Sequence, residues 1–244
     1  MKRYKWLLGC CLFLSIGMLW AADEPDLRML QQKAAQSRDM EGYVGVCKYL
    51  CQTEENPELL LLYADSIHQL ATKSKKPEQL VEYYIWASEG NFIKGDFQQG
   101  YALKRKAIAL AEKAGLKFAI SQSCCDMGYY CNVDARYDSA RYYFRKGLEA
   151  GEDLSEAGEA CRTMLTNYAS SFLFEGKTDS ALVYTIRASE RSAADKDTAM
   201  LIENLNQLGT IYRRKKDLEN CIANFEQALH LCELRGNHNA VAFI

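Results

Sequence analysis

The feature that most constrains the fold is a pattern that recurs at a spacing of about forty residues. Each copy contains a short polar turn, and the turns are anchored at Gly95, Ala135, Gly176 and Lys216, which are 40, 41 and 40 residues apart. A fixed period in this range is typical of a solenoid, in which each unit buries its apolar face against its neighbours. We therefore expect an all-α fold, an α-α superhelix built from antiparallel helix pairs. Such a fold favours a scaffold with an extended surface over an enzyme built around a pocket.

The last copy shows most clearly how one unit packs. Small and apolar residues precede its turn at steps of three and four, which is the period of a helix face. A second apolar face follows the turn. We expect Gly209 to let the neighbouring helix approach closely and Phe225 to hold the two helices together by packing between them. The residues that carry this pattern are Leu205, Leu208, Gly209, Tyr212, Cys221, Phe225, Ala228 and Leu229 in the last copy; Cys124, Met127, Gly128, Cys131, Ala140, Phe144 and Leu148 in the second; and Leu165, Tyr168, Ala169, Phe172, Ala181, Tyr184 and Ala188 in the third.

This pattern resembles the tetratricopeptide repeat (TPR) family, in which a bulky residue, Leu-Gly, Tyr, Ala, an aromatic residue and Ala recur in order. In the first copy Gly95 and Ala107 match, whereas Tyr84, Ala87 and Ser88 match poorly. The period exceeds the family's usual length of about 34 residues, so we expect longer helices. The resemblance implies four TPR-like repeats over residues 80–236. Residues 23–79 form a divergent helical N-terminal cap or degenerate repeats, with helices over 27–36, 40–51 and 57–74.

The N-terminus has the layout of a secretory signal peptide. Basic residues at positions 2, 3 and 5 precede an uncharged apolar stretch from Trp6 to Trp20, and Ala21-Ala22 precedes an acidic segment. The apolar stretch is short for a membrane span. We therefore predict a signal peptide over residues 1–22 and export to the periplasm or cell envelope. An uncleaved signal that tethers the chain to the membrane is the competing interpretation.

Composition and motifs exclude several classes of function. The net charge of −2 argues against a nucleic-acid-binding surface in this segment. There is no phosphate-binding glycine loop, no nucleophile elbow and no zinc-protease motif, so we expect neither an enzyme nor a cofactor. The three histidines do not have the spacing of zinc ligands, and no metal site is predicted. We expect Cys124, Cys131 and Cys221 to be core residues, because free cysteine packs as a small hydrophobe.

The resemblance also implies where a ligand would bind. In TPR arrays the first helix of each repeat lines a concave groove, and the groove residues of this chain would be mixed, polar and lightly charged. We therefore expect a protein or peptide ligand of aromatic or uncharged polar character. An equally open interpretation is that these residues simply face solvent. The candidate groove residues are Glu82, Phe92, Gln122, Tyr129, Asn132, Thr163, Thr166, Ser170, Glu203, Asn206, Thr210 and Arg213.

The C-terminal sequence bears on function. Residues 237–244 contain a turn and then the apolar segment Ala240–Ile244, which predicts the start of a further, truncated helix. An export signal followed by such repeats resembles the periplasmic TPR sensor region of Bacteroides-type envelope regulators. This resemblance implies a non-catalytic interaction scaffold that forms the sensor portion of a signal-transduction or transcription regulator, with a C-terminal membrane span as a second route to tethering. The alternatives are a stand-alone periplasmic TPR adaptor and an accessory subunit of an envelope enzyme or transporter.

Overall fold

The computed structural model describes residues 27–54 and 56–235. The predicted signal peptide and the predicted truncated helix lie outside these residues. Within them the chain folds into eleven α-helices and one short 3₁₀ turn, with no β-strand. This is the all-α, α-α superhelix class that the repeats predict. None of the helices in the described ranges is long and apolar enough to cross a membrane.

The helices follow one another with short connections. Their bounds are α1 Leu27–Ser37, α2 Met40–Thr53, α3 Pro57–Ser74, α4 Pro77–Lys94, α5 Phe97–Ala114, α6 Lys117–Val133, α7 Tyr137–Gly151, α8 Gly158–Phe174, α9 Thr178–Ala194, α10 Thr198–Arg214 and α11 Leu218–Leu234, with the 3₁₀ turn at Ser155–Ala157 before α8. The three N-terminal helices lie within two residues of their predicted ends. Most helices from α3 onward have 17 or 18 residues, so the longer period does lengthen the helices.

A left-handed backbone residue ends most of the helices. These residues have positive φ angles and include all four turn anchors; they are Arg38, Glu54, Lys75, Gly95, Gly115, Ala135, Gly176, Lys196 and Lys216. From Lys75 to Ala135, and again from Gly176 to Lys216, they recur every twenty residues. The forty-residue period is therefore two equal half-units, each one helix and one tight turn.

The same pair of backbone hydrogen bonds stabilises the six turns from Gly95 onward. At Gly95 the backbone amide donates to the Phe92 carbonyl at 3.0 Å, and the Asp96 amide donates to the Asn91 carbonyl at 2.8 Å. This pairing satisfies carbonyls that the helix end would otherwise leave free. The carboxylate of Asp96 then accepts the amide of Gln99 at 3.1 Å and caps the next helix. Asp197 and Asp217 cap α10 and α11 in the same way.

The described helices form two compact units, and the boundary lies within α6, between Met127 and Gly128. In the first unit, consecutive helices from α1 to α5 pack against one another, and α2 also contacts α4. Its core is built from Val46, Leu60, Ile67, Val81, Ile85, Leu103 and neighbouring small residues. In the second unit, α7 to α11 pack consecutively, and α8 contacts α10. Contact between alternate helices is what a stack of helix pairs requires.

The cysteines expected in the core are buried. Cys124 and Cys131 have no exposed surface, and Cys221 is 6% exposed. The burial of these three residues confirms their predicted packing role.

Candidate ligand-binding surface

The predicted groove residues fall into three groups according to their depth. Phe92, Asn132 and Thr166 are buried, whereas Arg213 is exposed. The others are half-buried, and they are Glu82, Gln122, Tyr129, Thr163, Ser170, Glu203, Asn206 and Thr210. Only the half-buried and exposed residues can offer atoms to a ligand.

The three buried residues hold helices together. Phe92 packs edge-on against Phe97 and Tyr101, with ring centroids 6.0 and 5.2 Å apart. The Asn132 side-chain amide donates to the backbone carbonyl of Asn167 at 3.0 Å. These positions face a neighbouring helix, and the sequence projection could not distinguish them from the half-exposed ones.

Two amide side chains on α10 each bridge α8 and α9. Asn204 accepts a hydrogen bond from the Thr166 hydroxyl at 2.9 Å and donates to the Ser192 hydroxyl at 3.1 Å. Gln207, three residues along α10, donates to the Ser170 hydroxyl at 2.6 Å. The Thr185 hydroxyl lies 3.0 Å from the Gln207 carbonyl oxygen.

Because buried polar groups need partners, these bridges fix α10 in one register between α8 and α9. The half-exposed residues on α8 and α10 are therefore carried on a rigid support. Asn204 and Gln207 were not predicted from the sequence, although their amide side chains at core-facing helix positions were an available signal.

An ionic cluster lies at the N-terminus of α10. Arg162 of α8 contacts the Asp197 carboxylate at 2.9 Å and the Asp195 carboxylate at 3.1 Å. Arg191 also contacts Asp195, at 2.8 Å, and the pKa of Asp195 is lowered, mainly by this hydrogen bond. The cluster joins the start of α8 to the turn between α9 and α10.

Glu203, one turn into α10, is an unusual member of the predicted groove. Its Oε2 atom is shielded from solvent and has no hydrogen-bond partner within the described ranges. Burial, and secondarily the charge of Asp197, raises the Glu203 pKa to about 7. With a pKa of about 7, the Glu203 carboxyl group is half protonated near neutral pH.

In the first unit, a lysine of α5 is fully buried. The Lys104 ammonium on α5 forms ion pairs with Glu89 of α4 and with Asp126 of α6, the latter at 2.9 Å. Burial alone would lower the Lys104 pKa, but the two carboxylates outweigh it and raise the pKa. The lysine therefore remains charged and ties three helices together.

Lys104 occupies the place of an aromatic residue. It follows Ser88 by sixteen residues, as Phe144 follows Gly128 and Phe225 follows Gly209. In the third repeat the equivalent residue is Thr185, while Tyr184 packs beside it against Tyr168 and Phe172. The sixteen-residue spacing was the signal that could have identified Lys104 and Thr185 as the residues that replace the aromatic side chain.

The first unit also contains a tryptophan hydrogen bond and two thiols with raised pKa values. The Trp86 indole donates to the Glu82 carboxylate at 2.9 Å. Burial, with Glu82 and Glu89 as secondary causes, raises the pKa of the Cys47 and Cys51 thiols, respectively, and holds them in the neutral form. Among the described residues no three His, Cys, Asp or Glu side chains are grouped to hold a metal ion.

No protein-family model and no curated protein sequence matches the chain. Similarity appears in solved structures. BtubC (BKLC) from P. vanneervenii superposes with a TM-score of 0.69 at 14% sequence identity, over 87% of this chain and 89% of that one. PlcR from Bacillus thuringiensis, in complex with the peptide PapR7 and DNA, superposes with a TM-score of 0.53 at 13% identity, over 91% of this chain and 86% of PlcR. At these identities the likeness establishes the fold alone. The chain has a helical-repeat, TPR-like fold.

Proposed function

We propose that this chain is a non-catalytic scaffold that binds a protein or peptide segment along the first helices of its second unit. One observation carries the proposal. Half-exposed polar side chains lie along α6, α8 and α10, and the buried bridges of Asn204 and Gln207 hold the last two of these helices rigidly together. Preorganised polar groups on a rigid support bind an extended ligand at a low cost in entropy.

The chemistry of these side chains favours an uncharged ligand. Tyr129 offers a phenol, Thr163 and Thr210 offer hydroxyls, and Asn206 offers an amide that can pair with a peptide backbone. Glu203 is largely neutral below its raised pKa of about 7. A peptide with polar or aromatic side chains would therefore lose less hydration than a strongly charged one.

The structural comparison supports this proposal by analogy. The PlcR structure contains a bound peptide, PapR7, and its helical-repeat fold superposes on most of this chain. A fold of this kind can therefore carry a peptide site. The identity of the ligand does not transfer at 13% identity.

For the cellular role, we propose the periplasmic sensor portion of a signal-transduction or transcription regulator. The support is the signal-peptide pattern of residues 1–22 together with the resemblance to envelope sensors. N-terminal sequencing of the protein recovered from the periplasm of an expressing bacterium tests the location. Recovery of an intact Met1 terminus from the cytoplasm would contradict it.

The binding proposal is tested with a random peptide library displayed on phage and selected on the immobilised full chain. We expect enriched peptides of low net charge. Synthetic copies should lose at least tenfold in affinity for Tyr129→Ala and Thr210→Ala, measured by calorimetry. Tyr142→Ala is the matched control, because Tyr142 is 50% exposed and lies on α7, the second helix of its repeat. Failure to enrich any peptide, or equal losses in the control, would refute the proposal.

A further inference from the structure

The outer face of α11 carries exposed apolar side chains. Leu218 is 65% exposed and Ile222 is 55% exposed, although they lie one turn apart on a regular helix. Each leucine or isoleucine that remains in water forgoes the free energy of burial, so a paired exposure of this size on one helix face marks a contact surface.

The equivalent residues of the earlier repeats are covered by the helix that follows. Tyr137, at the position of Leu218, lies with its ring centroid 6.2 Å from that of Phe174 on α8. Arg141, at the position of Ile222, stacks its guanidinium 4.6 Å from the centre of the Phe172 ring. One repeat later Leu182 packs with Leu201 of α10 in one apolar cluster. In these repeats, this position of the second helix therefore packs against the first helix of the next repeat.

Helix α10, which is the first helix of the last repeat, is also less covered than its equivalents in the earlier repeats. Asn132 on α6 and Thr166 on α8 are 5% and 3% exposed, and each bonds to the next first helix. Their equivalents on α10 are Arg213, which is exposed, and Asn206, which is half-buried. Among the described residues, α10 and α11 therefore have no following helix that covers these positions as it does earlier in the unit.

We propose that this end face, formed by Leu218 and Ile222, is the docking surface for residues 238–244 of this chain, which would take the place of the next first helix. The segment lies outside the described residues, and the register of the repeats places it at this face. First helices begin at Pro77, Lys117, Gly158 and Thr198, which places the next start at residue 238. Continuity with the α9–α10 interface selects this segment over an unrelated partner.

The register of the repeats predicts which two residues contact each other at this face. Leu182 and Leu201 pack in one cluster, and forty residues later the pair becomes Ile222 and Val241. The position of Val241 is apolar in every earlier first helix, as Leu80, Ile120, Cys161 and Leu201. The proposal concerns how the repeat array continues and does not depend on the ligand-binding proposal.

Photo-crosslinking of the full chain tests this contact. The variant Ile222→p-benzoylphenylalanine keeps an apolar side chain at the docking face, and mass spectrometry locates its crosslinks after irradiation. We expect crosslinks to residues 238–244 at least fivefold above those from Gln227→p-benzoylphenylalanine, the control on an exposed position of α11 away from Ile222. Equal yields at the two positions, or no crosslink to this segment, would overturn the proposal.

Two further measurements distinguish docking of residues 238–244 from docking of any other occupant. In an equal mixture of ¹⁵N-labelled and unlabelled chains, docking within one chain gives no mixed-isotope products, whereas mixed products would show that a second copy occupies the face and overturn the proposal. Introducing Val241→Asp should reduce the crosslink yield at least fivefold, whereas Asn239→Asp should leave it unchanged. Equal effects of the two changes would also overturn the assignment.

Discussion

The ring of Phe144 on α7 covers Gly128 on α6 so closely that a Cβ atom on residue 128 would lie 2.3 Å from the ring. Phe225 covers Gly209 in the same way, and a Cβ there would lie 2.8 Å from the ring. In both repeats the pair is separated by sixteen residues. The glycine is therefore required by the close approach of the two helices, and the aromatic ring fills the space that it leaves.

Gly128→Ala should destabilise the second unit. The new methyl group must displace the Phe144 ring, which costs about 1–3 kcal/mol and exceeds the gain of up to about 1 kcal/mol from better helix propensity. Denaturant unfolding followed by circular dichroism measures the change. Adding Phe144→Leu should make Gly128→Ala less costly than it is in the parent chain. If the alanine costs as much in the Phe144→Leu background as in the parent chain, the ring contact is not the cause.

This pairing also shows what the sequence can reveal. The period, the helices and the two Gly–Phe pairs follow from small and apolar residues at fixed spacings, and the structure confirms them. The first repeat could not be interpreted in the same way, because Ser88 and Lys104 replace the glycine and the aromatic residue. A lysine on a helix is ordinarily expected in solvent, and its burial depends on Glu89 and Asp126, which lie on two other helices.

Lys104→Met should destabilise the first unit by about 3–5 kcal/mol, because it leaves two carboxylates near a buried site without a counter-ion. Adding Glu89→Gln and Asp126→Asn should recover more than half of this loss, since no unpaired charge then remains. Chemical denaturation of the three proteins gives both values. Lys106→Met, at an exposed position of the same helix, should stay within about 0.5 kcal/mol of the parent. A triple variant no more stable than Lys104→Met would contradict this account.

The sequence predicts which positions of the first helices share a face, but not how deeply each of them is buried. Helical periodicity identifies the positions on one face, and it gives the same weight to Thr166 and Ser170. The structure buries Thr166 against Asn204 and leaves Ser170 half-exposed. That difference depends on how closely the next first helix approaches, which a single repeat does not encode.

Asn204→Leu should cost about 2–3 kcal/mol, because the Thr166 and Ser192 hydroxyls each lose a buried partner. The comparison variant is Asn206→Leu on the same helix, where the side chain is half-exposed and the expected change is under about 1 kcal/mol. Thermal unfolding of both variants measures the two losses of stability. Similar losses in the two proteins would show that the bridge from α8 to α9 adds nothing specific.

Ala135→Gly should stabilise the chain by about 0.5–1 kcal/mol. Ala135 has a φ angle of 56°, in the left-handed region where a Cβ atom is strained and glycine is not. The equivalent turn residues Gly95 and Gly176 already relieve this strain. The same change at Ala223, an exposed helical position, should instead destabilise by about 1 kcal/mol. Equilibrium denaturation distinguishes the two signs, and a loss of stability at residue 135 would contradict the strain argument.

Glu203 should make stability depend on pH. Its pKa rises from 4.5 to about 7 on folding, chiefly through burial, so between these values the folded protein binds more protons than the unfolded chain. The stabilisation from this group is therefore complete below pH 4.5 and is lost as the pH rises through 7, at a rate of about 1.4 kcal/mol for each pH step of one between the two pKa values. Glu203→Gln removes the titration, so its stability relative to the parent should increase between pH 5 and pH 8. Glu219→Gln, exposed on α11, is the control and should show a constant difference. Parallel pH profiles of the parent and Glu203→Gln proteins in urea unfolding would show that Glu203 is already ionised in the folded state.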